Sequence, residues 1–270
     1  MGDLDGKVAI VTGAGRRRGI GYSTAIALAR EGADVVVTGT GKDPETFPPD
    51  EKEIGWKDVD STAKHVRDLG RRALPLVVDV TNRDQVQMMV DRTVSELGRV
   101  DILINNAAMA IGADRVPIAD VNPDLFQRVV DVKLTGMFLC SQAVVKILIE
   151  QGEGGKIVGV SSDAGKRGSA NALAYNAACF AMVGMTQSLA QELGQHGINV
   201  NCVCPAAVDT ARMDVHGRGD KWQEMSERHP IGRGGTPEEV GGFITYLCTE
   251  AASWIHGQSI NIDGGMVMVH

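Results

Sequence analysis

The stretch Val8-Ala-Ile-Val11-Thr12-Gly13-Ala-Gly15-Arg16-Arg17-Arg18-Gly19-Ile20-Gly21 decides the fold. Its first four residues are a continuous apolar run, which reads as a strand buried on both faces, because a half-covered strand alternates apolar and polar residues. A glycine-rich turn follows, and then Tyr22–Glu31 has helical length and pattern. A strand, a glycine turn and a helix amino terminus together make a phosphate site. Glycine lets the backbone approach a pyrophosphate, and the unpaired N–H groups and dipole of the helix favour an anion. A dinucleotide site is therefore expected at Gly13, Gly19 and Ile20, with Arg16 and Arg18 beside it.

Outward from this turn, further short apolar runs occur near Val35–Thr38, Leu74–Val78, Ile102–Ile104, Ile157–Val160, Ile198–Val203 and Ile260–Ile262, separated by amphipathic segments of helical length. Several helix starts are marked. Thr81-Asn-Arg-Asp84 sets a capping hydroxyl ahead of an acid, Asn122-Pro123 is a cap followed by proline, and Thr236-Pro237-Glu238-Glu239 combines cap, proline and acid. The alternation predicts an α/β fold: a single Rossmann-like, doubly wound domain over residues 1–270, with a parallel sheet of about seven strands and helices on both faces. Residues 39–57 are polar and proline-rich without a clear period, and read as an exposed insertion after the second strand.

Composition excludes several classes. With 270 residues, 43% of them hydrophobic, the chain can bury a full core in one domain. The net charge of -7 speaks against a nucleic-acid or anionic-membrane surface, which needs clustered positive charge. A targeting segment and an uninterrupted membrane-spanning stretch are both lacking from the pattern, so a soluble cytoplasmic protein is expected. The five cysteines show no paired metal-ligand spacing and read as reduced core residues, so no metal is expected.

Ser162 stands thirteen residues before Tyr175 in Ile157-Val-Gly-Val-Ser-Ser162…Tyr175-Asn-Ala-Ala-Cys179. This resembles the Ser and Tyr-x-x-x-Lys signature of the short-chain dehydrogenase/reductase family, with Cys179 at the lysine position. The glycine loop resembles the family's Thr-Gly-x-x-x-Gly-x-Gly, lengthened by two residues between Gly13 and Gly19. Asn105-Asn106-Ala107-Ala108 resembles the family's Asn-Asn-Ala-Gly, and Pro205-Ala206-Ala207-Val208-Asp209-Thr210 its Pro-Gly segment around the nicotinamide. The resemblance spans nearly the whole chain. It implies cofactor contacts at Asp79, Val80, Asn105, Ala107, Tyr175, Pro205, Val208 and Thr210, a substrate lid near 209–228, and a homodimer or homotetramer built from helices around 123–150 and 173–194. Ala108 and Ala206 replace glycines, and a methyl there can strain a backbone that needs positive φ.

The resemblance implies interconversion of a secondary alcohol and a ketone by hydride transfer, with Tyr175 as general acid/base and Ser162 orienting the substrate oxygen. A free phenol titrates at about 10, and a neighbouring ammonium favours the phenolate by roughly 1–3 units. Cys179 supplies no such charge. In Val130-Asp-Val-Lys133-Leu-Thr-Gly136-Met-Phe138, however, Lys133 occupies the position of the family's catalytic asparagine. Its flexible stem is expected to bring the ammonium toward Tyr175; the alternative is that it points to water or an acid. The end of the second strand, Thr38-Gly39-Thr40-Gly41, carries neither the acid expected for NAD nor the arginine expected for NADP. With Arg16 and Arg18 close by, the reading leans to NADP and leaves NAD open. Charge in the Asp209–Arg228 stretch reads as solvated, with Met213 and Met225 available to an apolar pocket. Two other classes stay open: a catalytically impaired subunit that assembles with an active relative, and an enzyme of another reaction type on the same scaffold.

Overall fold

The computed structural model describes residues 2–269. Seven strands form where the apolar runs predict them: β1 Val8–Val11, β2 Asp34–Gly39, β3 Ala73–Val77, β4 Ile102–Asn105, β5 Gly155–Val160, β6 Ile198–Pro205 and β7 Ser259–Ile262. They make one parallel sheet in the order β3-β2-β1-β4-β5-β6-β7. In β1, Val11 pairs with Val37 on one side and Ile104 on the other. The chain reverses its direction of winding between β1 and β4, and that switch opens a crevice at the carboxyl ends of the strands.

Nine helices accompany the sheet among the described residues: α1 Ile20–Arg30, α2 Pro49–Glu53, α3 Asp58–Asp68, α4 Arg83–Leu97, α5 Pro123–Val130, α6 Gly136–Gln151, α7 Leu173–Leu193, α8 Asp220–Glu227 and α9 Pro237–Cys248. Alternate strand residues feed two separate cores. Ala9, Val11, Ile104 and Val203 pack with Ala25 and Leu28 of α1 and Ile244 of α9, whereas Ile10, Leu103 and Ile157 pack with Met89 of α4 and Val144 of α6. The expectation of two-sided burial fails most clearly at the sheet edges. On β3, Val77 is exposed and Pro75 sits where its missing N–H costs nothing, and β7 is half-buried throughout.

Helix starts follow the caps closely. Thr236 and Glu239 form a reciprocal capping box at α9, and Asn122 accepts from Leu125 N at 3.0 Å at the start of α5. At α4 the cap is Asn82, which accepts from Asp84 N and Gln85 N, while the Thr81 hydroxyl donates to Asp79 instead. Between α5 and α6 the helix widens into one π-helical turn, Asp131–Thr135, that carries Lys133. The combined Pro123–Gln151 helix is long and apolar enough to cross a bilayer by length and composition alone. Here it packs on the sheet, with Leu139, Cys140, Val144 and Leu148 in the core.

The insertion is mostly exposed but firmly anchored. Phe47, Glu51 and Trp56 are buried, Arg16 stacks 3.9 Å over the Phe47 ring, and Trp56 Nε1 donates to Gly15 O at 2.7 Å. The two additional residues of the glycine loop and the insertion thus cover one another.

Candidate active site

The crevice at the β1/β4 switch contains two adjoining cavities. The larger, about 380 Å³, is lined by Gly13, Gly19 and Ile20 at one end and by Ser162, Tyr175 and Lys133 at the other, with Pro205, Val208 and Thr210 along its wall. The smaller, about 160 Å³, is lined by Asp79, Val80 and Ala107, and the two share Gly13 and Arg16. The predicted site residues are thus brought together with one exception. The side chain of Asn105 turns into the core and donates to Ser141 Oγ at 3.2 Å. Asn106 reaches the cavity instead and braces the loop by donating to Thr12 O and Gly13 O.

The glycine end fits a pyrophosphate. Gly13 has φ of 68°, and a Cβ there would lie 2.9 Å from Ala107 Cα, so the loop can come this close only without a side chain. Gly19 caps α1 in an extended conformation, with no side chain bonded to the first turn and no acid in it, which leaves the helix N–H groups to a ligand. Ala108 and Ala206 line the same cavity without strain, since among the described residues only Asp58 and Asn171 are non-glycine residues at positive φ. Asp79 sits at the other end. Burial raises its carboxyl, but the amide and hydroxyl of Thr81 and the Arg128 guanidinium outweigh that and hold it below the usual carboxylate range.

Of the three arginines in the glycine loop, Arg16 and Arg18 have carboxylate partners, and Arg17 is exposed. Arg16 pairs with buried Glu51 at 3.0 Å, and Glu51 also accepts from Arg17 N. Arg18 pairs with Asp50 of the insertion at 2.9 Å and with Asp214 of the 209–228 segment at 2.6 Å. Guanidinium groups matched by carboxylates have less charge left for a phosphate. One arginine also ties together the glycine loop, the insertion and the segment over the substrate end, where Ala211 N donates to Arg18 O.

At the chemical end, Lys133 is buried and its ammonium donates to Val160 O at 2.9 Å, 5.3 Å from the Tyr175 ring centroid. It lines the cavity and pairs with no acid among the described residues, and its hydrogen bond goes to the backbone, not to the phenol oxygen. That contact belongs to Arg212, whose guanidinium donates to Tyr175 Oη at 3.2 Å and to Met109 O at 2.9 Å. The Arg115 guanidinium lies 4.4 Å from the same ring and pairs with buried Asp114 at 3.1 Å. Three cations therefore surround the phenol. Arg212 lies in a stretch whose charge reads as solvated in the sequence, and the structure corrects this; Met213 beside it lines the cavity, whereas Met225 does not. Ser162 donates to Asp163 Oδ1 at 2.9 Å and accepts from Ala164 N, starting a short helical turn at the cavity wall. Cys179 is fully buried, and its carbonyl accepts from Ser161.

A family model described as Enoyl-(Acyl carrier protein) reductase matches residues 13–267. The chain is 38% identical over 268 residues to a cyclohexanol dehydrogenase of Rhodococcus, covering 97% of each chain. It is 35% identical to a 3-oxoacyl-[acyl-carrier-protein] reductase of Thermotoga maritima, covering 98% of this chain and 99% of that one. Among solved structures, a carveol dehydrogenase of Mycobacterium avium in complex with NAD superimposes with a TM-score of 0.85 or better, at 0.87, with 29% identity and 98% and 99% of the two chains covered. With matches that cover nearly the whole chain, it belongs to the short-chain dehydrogenase/reductase family of oxidoreductases.

Proposed function

We propose that this chain interconverts a small-molecule secondary alcohol and a ketone with a nicotinamide dinucleotide. Tyr175 is the general acid/base, and Ser162 orients the substrate oxygen. The observation that carries this reading is the contact between Arg212 and Tyr175 Oη, at 3.2 Å, with the Lys133 ammonium beneath the same ring. Two cations from other segments thus stand at the phenol, where Cys179 supplies none. Relatives named for cyclohexanol and carveol support an alcohol as the substrate.

When bound, the nicotinamide accepts the hydride from a carbinol carbon, or donates it in the reverse direction. In the oxidative direction Tyr175 takes the hydroxyl proton. The Ser162 hydroxyl, which donates to Asp163 in this structure, turns about its Cβ–Oγ bond to donate to the substrate oxygen. Gly13 and the amino terminus of α1 would hold the pyrophosphate, Asp79 and Val80 would border the adenine end, and Thr210 would lie at the nicotinamide end. Arg212 fixes the phenol oxygen and the Met109 carbonyl at once, so the substrate end is shaped when the 209–228 lid lies closed. A homodimer or homotetramer fits the exposed Phe138 of α6, Phe180 of α7 and Trp254 before β7, apolar groups that a subunit contact would cover.

The test is turnover of a panel of cyclic and open-chain secondary alcohols, followed by nucleotide absorbance, with Tyr175→Phe alongside. Loss of about 100-fold or more in kcat in the variant, with nucleotide affinity retained, is the expected result. Equal rates in parent and variant overturn the role of Tyr175, and failure to bind either nucleotide favours the impaired-subunit reading.

A further inference from the structure

The strand end where an acid would read the adenosine ribose has none, yet a carboxylate stands there. Asp58, the first residue of α3, follows the insertion and folds back against the glycine loop and the end of β2. A Cβ built on Gly15 would fall 1.5 Å from Asp58 Oδ1, and one on Gly39 would fall 3.2 Å from it. The carboxylate therefore fills the place of a side chain at both glycines and lines the smaller cavity together with Asp79 and Val80.

Two further features set this residue apart. Its backbone has φ of 46°, a left-handed conformation that is costly outside glycine and that a structure retains where the surroundings impose it. It also forms no ion pair among the described residues, although it is half-buried. Of the two cations that face it, Arg16 is held by Glu51, and Lys42 stands beside the carboxylate with its own backbone amide turned toward it. Burial pushes the Asp58 carboxyl above its ordinary range, against the pull of Arg16 and the Lys42 and Gly41 amides. The carboxylate takes the Lys42 and Gly41 amides and, with about four acceptor positions, keeps room for two ribose hydroxyls.

We propose that Asp58 is the ribose-reading acid of this chain and makes the dinucleotide site selective for NAD(H) over NADP(H). The proposal rests on the oxidoreductase reading above. An ionised carboxylate accepts hydrogen bonds from the free ribose hydroxyls and repels a 2′-phosphate; Arg16 and Arg18 are matched by Glu51, Asp50 and Asp214, and Arg17 is exposed and lines neither cavity. The insertion thus delivers from α3 what the strand end lacks.

Titration calorimetry of the full chain with NADH and with NADPH tests this without reference to turnover. The expected result is an NADH affinity at least about 100-fold above that for NADPH, since a like charge in contact costs several kcal/mol and every 1.4 kcal/mol is tenfold. Asp58→Asn keeps the shape and tolerates the left-handed backbone, and it is expected to narrow the ratio about tenfold or more. Equal or tighter binding of NADPH by the parent overturns the proposal, as does an unchanged ratio in a variant whose circular dichroism and melting match the parent. Binding of neither nucleotide overturns the oxidoreductase reading itself, and this proposal with it.

Discussion

The guanidinium of Arg212 bridges Tyr175 Oη and Met109 O, so a residue of the 209–228 segment is bonded to the proposed general acid/base. Replacing it by methionine removes a charge-assisted bond from the reacting group, and kcat is expected to fall by about 10–100-fold. Arg212→Lys is expected to recover only part of the loss, because a point charge does not span both oxygens. Lys133→Met is expected to cost less than Arg212→Met, since the ammonium lies under the ring and not at the oxygen. Steady-state rates with nucleotide saturating rank the three variants; a larger loss at Lys133 would reverse the assignment.

Restoring the family lysine by Cys179→Lys alone is expected to harm the protein. Position 179 is fully buried, and an unpaired ammonium there costs several kcal/mol in desolvation. The paired change Lys133→Asn with Cys179→Lys exchanges one buried cation for another. It is expected to melt above the single Cys179→Lys variant, as differential scanning calorimetry can show.

Two neighbouring glycines of α9 are expected to respond oppositely to alanine. A Cβ on Gly241 would meet the backbone of Ser23 and Thr24 in α1 at 2.8 Å, a contact neither helix can easily yield, so Gly241→Ala should destabilise by roughly 1–3 kcal/mol. Gly242 faces open space, and Gly242→Ala should stabilise by about 0.5–1 kcal/mol through helix propensity. Urea denaturation of the pair measures both signs at once.

Glu239 closes the capping box of α9. Its bond with Arg233 and the Thr236 amide hold its carboxyl down at about 2, against an ordinary value of 4.5. A depressed folded-state value means that its contribution is fully present above about 4.5 and is lost as pH falls toward about 2. The melting temperature of Glu239→Gln should therefore converge on that of the parent as pH is lowered through this window. Thr236→Ala, which removes the hydroxyl of the same box, should cost about 1 kcal/mol at neutral pH.

The sheet was legible because each central strand is covered on both faces and so reads as an unbroken apolar run; Val8–Val11 coincides with β1 to the residue. Ser162, Tyr175 and Lys133 were legible for a related reason, since fixed spacing on a strand end and on helices places them in one crevice. Arg212, Arg115 and Asp58 were not. They reach the crevice from loops or from the end of an insertion, where no period constrains direction, and their partners lie far away in the sequence. Asp58 gave a faint signal only in retrospect, as an acid opening an amphipathic helix after an unpatterned segment. The partners of Arg16 and Arg18 were illegible for the same reason: the acids that match them, Glu51, Asp50 and Asp214, come from two other segments.

Arg18 draws one acid from the insertion and another from the lid, and all three side chains remain partly open to water. Two flaps on opposite flanks of the crevice thus share a single ionic hinge, which dissolved salt weakens for both together. On the proposed function, entry of the nucleotide and entry of the alcohol would then be one event, tuned by ionic strength.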